Sequence, residues 1–298
     1  MHELRINNTV IHFPSEWDEL TRPQLEVIAG LSLMNLQEMQ FKTMLLFHLG
    51  DVKVEKEDAV RNPEDYSEIL YKLKINKSSS AYLSAPQIAD LANGFDFLFK
   101  RSESKDEKVS ISLDSQLTKN LIPYFTVEGS TYYGPSDKLF NVIFSEFIHA
   151  ETNLQRFVAT KEIKYLDQLI AILYRLQDSA YDADSPDFKG DRRAPFNDHH
   201  IEARAEKIHK LNHNVKLCIF LYYTGCQWWI QNQFPDVFSK KSKGKDDGLG
   251  FLGLVDALTG GDVTKTGEVH KAYLMDVMVH LQRAAVEFQK AEEKLKKK

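Results

Sequence analysis

Apolar and polar positions alternate along this chain in two rhythms, and the helical one dominates. Leu139, Ile143, Phe147, Ala150, Leu154 and Phe157 recur at steps of three and four, which places one apolar stripe on a long central helix. Tyr132 and Tyr133 stand just before it, covering its entry. Gly134-Pro135 breaks the preceding backbone, so Ser136 or Asp137 is positioned to cap the first turn.

The same spacing predicts further helices. One begins at a Thr21 cap with Pro23 in its first turn and buries Leu25, Ile28, Ala29 and Leu31. Another covers 35–49 with Leu36, Met39, Phe41, Leu45 and Leu46, and Gly50 stops it. The polar stretch 51–62 reads as irregular or partly helical, 65–73 as a short helix, and 78–80 as a loop. Ser84 caps a helix that carries Pro86 and runs to about residue 99. A third group follows the central stripe: an amphipathic helix over 161–177, then one capped by Asp198 that turns strongly apolar from 215 to 230. Helices at 250–258 and 266–290 end the chain.

Strand rhythm is confined to short pieces. Residues 3–6 and 9–13 read as a hairpin joined at Asn7-Asn8, because Asn tolerates the positive φ of tight turns. VSISL and IPYFTVEGSTYY, rich in β-branched and aromatic residues, predict one or two short strands leading into the central helix. The expected architecture is mainly α: a multi-helix globular protein with a small N-terminal β-hairpin and room for one further short strand pair. The charged run 100–108 lacks apolar periodicity and is the candidate linker between an N-terminal lobe, 1–100, and a C-terminal helical lobe, 109–298, with a single domain overall as the alternative. The longest loop is 178–197, and 240–248 is a second polar stretch.

Composition narrows the function classes. The 298 residues are 43% hydrophobic and 27% charged, as in an ordinary folded protein, and the net charge of −5 argues against nucleic-acid binding. MHELRINNTV has no apolar signal region, and the longest apolar run, Leu217 to Tyr223, is too short to span a bilayer as a helix. Cys218 and Cys226, placed on one helix, would lie about 12 Å apart, beyond disulfide reach. The expectation is a cytoplasmic protein with no membrane partner and two buried thiols.

Two Glu-x-x-His motifs, Glu146/His149 and Glu206/His209, are the sharpest chemical candidates. Carboxylate-bridged di-iron bundles use such pairs because side chains three apart on a helix reach one metal pair. An iron, manganese or zinc enzyme built on these four residues is therefore the alternative to a cofactor-free protein. Glu202, Glu206, His209 and His213 also fall at helical steps and form a polar stripe with zinc-ligand chemistry, although the solvent face of a helix has the same pattern. No G-x-S-x-G elbow, no phosphate-binding G-x-x-x-x-G-K-[ST] loop and no G-x-G-x-x-G after a strand occurs. For interaction, the candidates are Tyr132 and Tyr133, Arg192 and Arg193 in the long loop, and Trp228 and Trp229 towards the end of the most apolar helix. A ligand-capturing role for loop 178–197 would require a pocket beside it.

Three phrases, FPSEWDELTRPQL, YYGPSDKLFNVIFSEFIHAET and GCQWWIQNQFPDVF, resemble those of uncharacterised proteins encoded in phage and prophage-like clusters near tail and assembly genes. That resemblance carries no catalytic residues with it. It implies a non-enzymatic, chaperone-like or adaptor role in particle assembly, with phage tail or assembly proteins as partners, in the host cytoplasm or on the virion.

Overall fold

The computed structural model describes residues 1–298 apart from 7–8, 50–51, 62–68, 76–78, 104–108, 186–189, 239–257 and 297–298. The chain divides into two compact units, Met1–Leu117 and Thr118–Lys298.

In the first unit, β1 (His2–Ile6) pairs antiparallel with β2 (Thr9–Phe13), as expected, while Asn7-Asn8 lies outside the described residues. Helix α1 (Arg22–Ser32) opens on a capping box between Thr21 and Gln24 and buries the predicted face, Leu25, Ile28, Ala29 and Leu31. Helix α2 (Glu38–Leu49) follows. Its buried Lys42 ammonium pairs with Glu38 and Asp96 and lies 5.4 Å from the centre of the Phe99 ring.

The next stretch corrects the sequence reading. Residues expected to be irregular, helical and loop instead form a three-stranded antiparallel sheet of β3 (Val52–Arg61), β4 (Ile69–Ile75) and β5 (Ser79–Ser84). The expected helix 65–73 lies outside the described residues up to 68 and is strand from Ile69 onward. In β4, Leu73 is buried between the more open Lys72 and Lys74, a period of two that a search for helical steps reads as a polar run. Ser84 caps α3 (Ala85–Ala92) as expected, in a capping box with Gln87, and the helix gives way to a 3-10 turn, Asn93–Leu98, earlier than expected. Strands β6 (Phe99–Glu103) and β7 (Val109–Leu113) then pair antiparallel. The expected linker 100–108 therefore starts inside a hairpin strand, its remainder 104–108 lies outside the described residues, and the units divide at Leu117/Thr118 instead.

The second unit starts with the hairpin β8 (Tyr124–Val127) and β9 (Ser130–Tyr133), whose two turn residues, Glu128 and Gly129, both have positive φ, 49° and 74°. Helix α4 (Phe144–Thr160) is the expected central helix and buries Phe147, Ala150 and Leu154. Helix α5 (Ile163–Leu173) buries every residue from Leu169 to Leu173. Two helices expected to be continuous are broken. The stretch from 198 becomes α6 (Ile201–Ile208) and α7 (His213–Gln233), because the Asn212 side chain accepts from the Asn214 N–H at 2.8 Å and starts a new helix. After α8 (Pro235–Phe238), the stretch from 266 becomes α9 (Thr266–Lys271) and α10 (Leu274–Lys296).

That second break supports α4. Ile143 offers α4 no side-chain cap; instead the Ala272 carbonyl accepts from the Phe144 N–H at 2.9 Å, and the Leu274 N–H donates to the Val142 carbonyl at 2.8 Å. Cys218 and Cys226 are both buried on α7 and are not joined in a disulfide, as expected. Among the described residues no helix is long and apolar enough to cross a membrane. The expected features at 240–248 and 250–257 lie outside the described residues. The protein is mainly helical, as its periodicity predicts, but its strands exceed a hairpin and one further pair.

Candidate functional site

Three extended segments of the second unit lie side by side and set its polar centre. Tyr133 at the end of β9 exchanges backbone hydrogen bonds with Arg175, at 2.7 and 3.0 Å. On the far side, Leu176 and Asp178 bond to Ala194 and Arg192, at 2.8 and 3.0 Å. This pairing brings Arg175 and Arg193, eighteen positions apart in sequence, to the same buried carboxylate, Glu146 in the first turn of α4.

The Arg175 guanidinium grips both Glu146 oxygens, each at 3.0 Å. Arg193 Nη1 donates to Glu146 Oε2 at 3.2 Å, and its Nε and Nη2 reach Asp191 at 2.9 Å. The remaining donors are taken by backbone carbonyls: Ala194 and Ile172 for Arg175, Leu173 and Asn141 for Arg193. Glu146, Arg175 and Arg193 are 1%, 2% and 3% exposed, so a charged cluster this deep survives only because every member is paired. Burial pulls the Arg175 pKa down. At Arg193 burial pulls the same way, but Glu146 and Asp191 outweigh it and the pKa rises. The arrangement is a structural clamp that ties α4, the end of α5 and the long loop together.

Above α4 the chain makes a strained turn. Lys138 and Leu139 are both left-handed, with φ of 56° and 60°, at a cost of about 1–2 kcal/mol each for residues with a Cβ. A dense frame holds them there. Thr118 O accepts from Lys138 N at 2.9 Å, Asn120 binds both Asp137 and Pro135, and Tyr222 donates to Ser136 O at 2.7 Å. Asp137 thus serves the turn, and neither it nor Ser136 caps α4. Gly134 is required for space: a Cβ there would lie 2.4 Å from the Tyr174 ring. The turn presents Phe140, 53% exposed, with its ring edge-on to Trp229 at 5.8 Å and the Lys138 ammonium 5.1 Å from the Trp229 ring centre.

Two cavities open on either side of α6. One, about 530 Å³, lies between the end of the long loop and α6, with Tyr132, Phe196, His200, Arg204 and Lys207 on its walls. Arg204 is half-buried there; its Nε meets no hydrogen-bond partner, and its Nη2 makes a long hydrogen bond, 3.4 Å, to Asn197 O. Burial, reinforced by the charge of Arg175, pulls its pKa down to about 10. The other cavity, about 400 Å³, is lined by Asp167, Glu202, Glu206 and His209. Asp167 is buried between Lys216, at 2.6 Å, and His209 Nδ1, at 2.8 Å.

The predicted site residues scatter among these features. Glu146 faces two guanidiniums and not His149, whose half-buried ring packs on Phe196 at 5.6 Å and whose pKa burial lowers. Glu206 and His209 line the smaller cavity, where His209 is engaged by Asp167. The stripe Glu202, Glu206, His209, His213 is cut by the break before α7. Among the described residues no group of three or more His, Cys, Asp or Glu is placed to hold a metal ion. Tyr132 is buried, stacked on Phe125 at 5.6 Å; Tyr133 lies under the exposed Arg192, 4.2 Å from its ring centre. Arg193, expected as an interaction residue of the long loop, is a correction: it is core, because the pairing with 175–178 carries it inward. Trp228 is 37% exposed and Trp229 half-buried. Sequence reasoning missed Arg175, Asp191, Phe140 and Arg204. Of these, Asp191 lies in loop 178–197, whose length marked it out.

The chain matches no family model, no curated protein and no solved structure.

Proposed function

We propose that the protein is a non-enzymatic interaction protein that binds a protein partner through the strained turn at 136–140 and the adjoining face of α7. The observation that carries this is Phe140: two left-handed residues and a frame of side-chain hydrogen bonds hold an apolar ring out towards solvent. Backbone strain of this kind clusters at functional sites, and an aromatic pair with a cation beside it has the makeup of an interface hot spot. Burying Phe140 and the exposed edge of Trp229 supplies affinity, and Lys138 favours an acidic group on the partner. The resemblance to phage-cluster proteins makes particle assembly the setting, with a tail or assembly protein as the partner. The metal-enzyme alternative gains nothing from geometry that commits Glu146 to arginines and His209 to Asp167.

The test is co-expression with the products of the neighbouring genes, followed by co-purification and light scattering. The expected result is a defined complex with one of them that the Phe140→Ala/Trp229→Ala double variant weakens at least tenfold, while its unfolding midpoint stays close to wild type. A chain that stays monomeric and binds none of those products, or a complex indifferent to the double variant, would overturn the proposal.

A further inference from the structure

The cavity between the long loop and α6 is walled on one side by flat groups, Tyr132, Pro195 and Phe196, and on the other by His200 and the cations Arg204 and Lys207. Among the described residues no carboxylate lines it. Half-buried Arg204 is unlike the buried Arg175 and Arg193. Among the described residues no acid pairs with it, and its Nε is shielded from solvent with no acceptor. A guanidinium with one shielded, unpartnered donor and no paired acid is under-satisfied, and an anion entering the cavity meets its exposed edge in the fork geometry that guanidinium favours. The volume, about 530 Å³, lies within the range of small-molecule sites.

We infer that this cavity binds a small organic anion, a carboxylate or phosphate monoester carrying a flat apolar group. The anionic head sits against Arg204, with Lys207 and His200 at the rim, and the apolar body lies against Pro195 and the Phe196 ring. Residues 194–197 make the loop's end one wall of the site, so the long loop has a task beyond connection. The site shares no residue with the Phe140–Trp229 surface and stands or falls separately from it.

Isothermal titration of the full chain with phenyl phosphate, benzoate, inorganic phosphate and the neutral benzyl alcohol tests this directly. Phenyl phosphate and benzoate are expected to bind at least tenfold tighter than benzyl alcohol, and phenyl phosphate about fivefold tighter than inorganic phosphate. Arg204→Gln is expected to weaken phenyl phosphate at least tenfold, with its thermal midpoint reporting that it folds. Lys207→Glu reverses an exposed charge at the rim and is expected to weaken phenyl phosphate as well, which keeps the test open should Arg204→Gln fail to fold. No binding by either organic anion, benzyl alcohol binding as tightly as phenyl phosphate, or wild-type affinity in both variants would overturn the inference. Equal affinity for the two phosphates would overturn its apolar half.

Discussion

Arg175 and Arg193 differ from Arg204 in one respect that decides what each does. The first pair is almost wholly buried and meets two carboxylates and four backbone carbonyls. Arg204 is half-buried, lies close enough to Arg175 to feel its charge, and meets no carboxylate among the described residues. A guanidinium whose donors are all satisfied fixes a fold. One that is desolvated and short of an acceptor is poised for a ligand. The same residue type serves structure and recognition within one unit, and only the partners tell the roles apart.

The largest expected effect breaks the satisfied half of that comparison. Glu146→Gln leaves two buried guanidiniums with Asp191 alone and is expected to cost about 3–5 kcal/mol, read from the urea midpoint. Next comes Glu151, on the same helix as Glu146 and also buried, but with no cation paired to it among the described residues: it accepts from Tyr223 at 2.7 Å and from Gln227. Burial raises its pKa to about 7, against 4.5 ordinarily, and the two hydrogen bonds only partly oppose that. The folded state thus keeps a proton that the unfolded chain releases, so this group's contribution falls as pH rises from about 4.5 to about 7. Glu151→Gln is expected to remove that slope, matching wild type near pH 4.5 and exceeding it at pH 8 by up to about 3 kcal/mol. Parallel slopes in the two proteins would show that Glu151 does not hold the proton. Smallest is Arg204→Gln, expected to change stability by less than about 1 kcal/mol and in the stabilising direction, since it removes a desolvated cation that no acid pairs among the described residues.

Much of the helical frame is legible in the residues because burial repeats at helical steps. Leu25, Ile28, Ala29 and Leu31 on α1 and Phe147, Ala150 and Leu154 on α4 are where their spacing puts them. The sheet β3-β4-β5 is hidden, since lysines flanking a buried leucine, as at 72–74, mask a period of two. Helix breaks at 209–212 and at Ala272–Tyr273 are hidden for another reason: the second caps α4 from far along the chain, which local spacing does not record. The candidate sites are least legible. The sequence points Glu146 towards a metal because His149 follows it, yet its partners are 29 and 47 positions away and are brought to it by strand pairing. Trp229 stands out in the sequence; Phe140, which makes its edge-on contact, does not, because its exposure depends on a backbone conformation that no residue at 138 or 139 advertises.

The most direct test of the division between fixed and poised arginines is a set of urea melts of wild type, Glu146→Gln and Arg204→Gln, each without and with about 10 mM phenyl phosphate. The expected result is that the ligand raises the midpoint of wild type and of Glu146→Gln by similar amounts, although the latter starts far lower, and leaves Arg204→Gln unmoved. A rise in Arg204→Gln equal to that of wild type, or a Glu146→Gln protein as stable as wild type, would contradict the account.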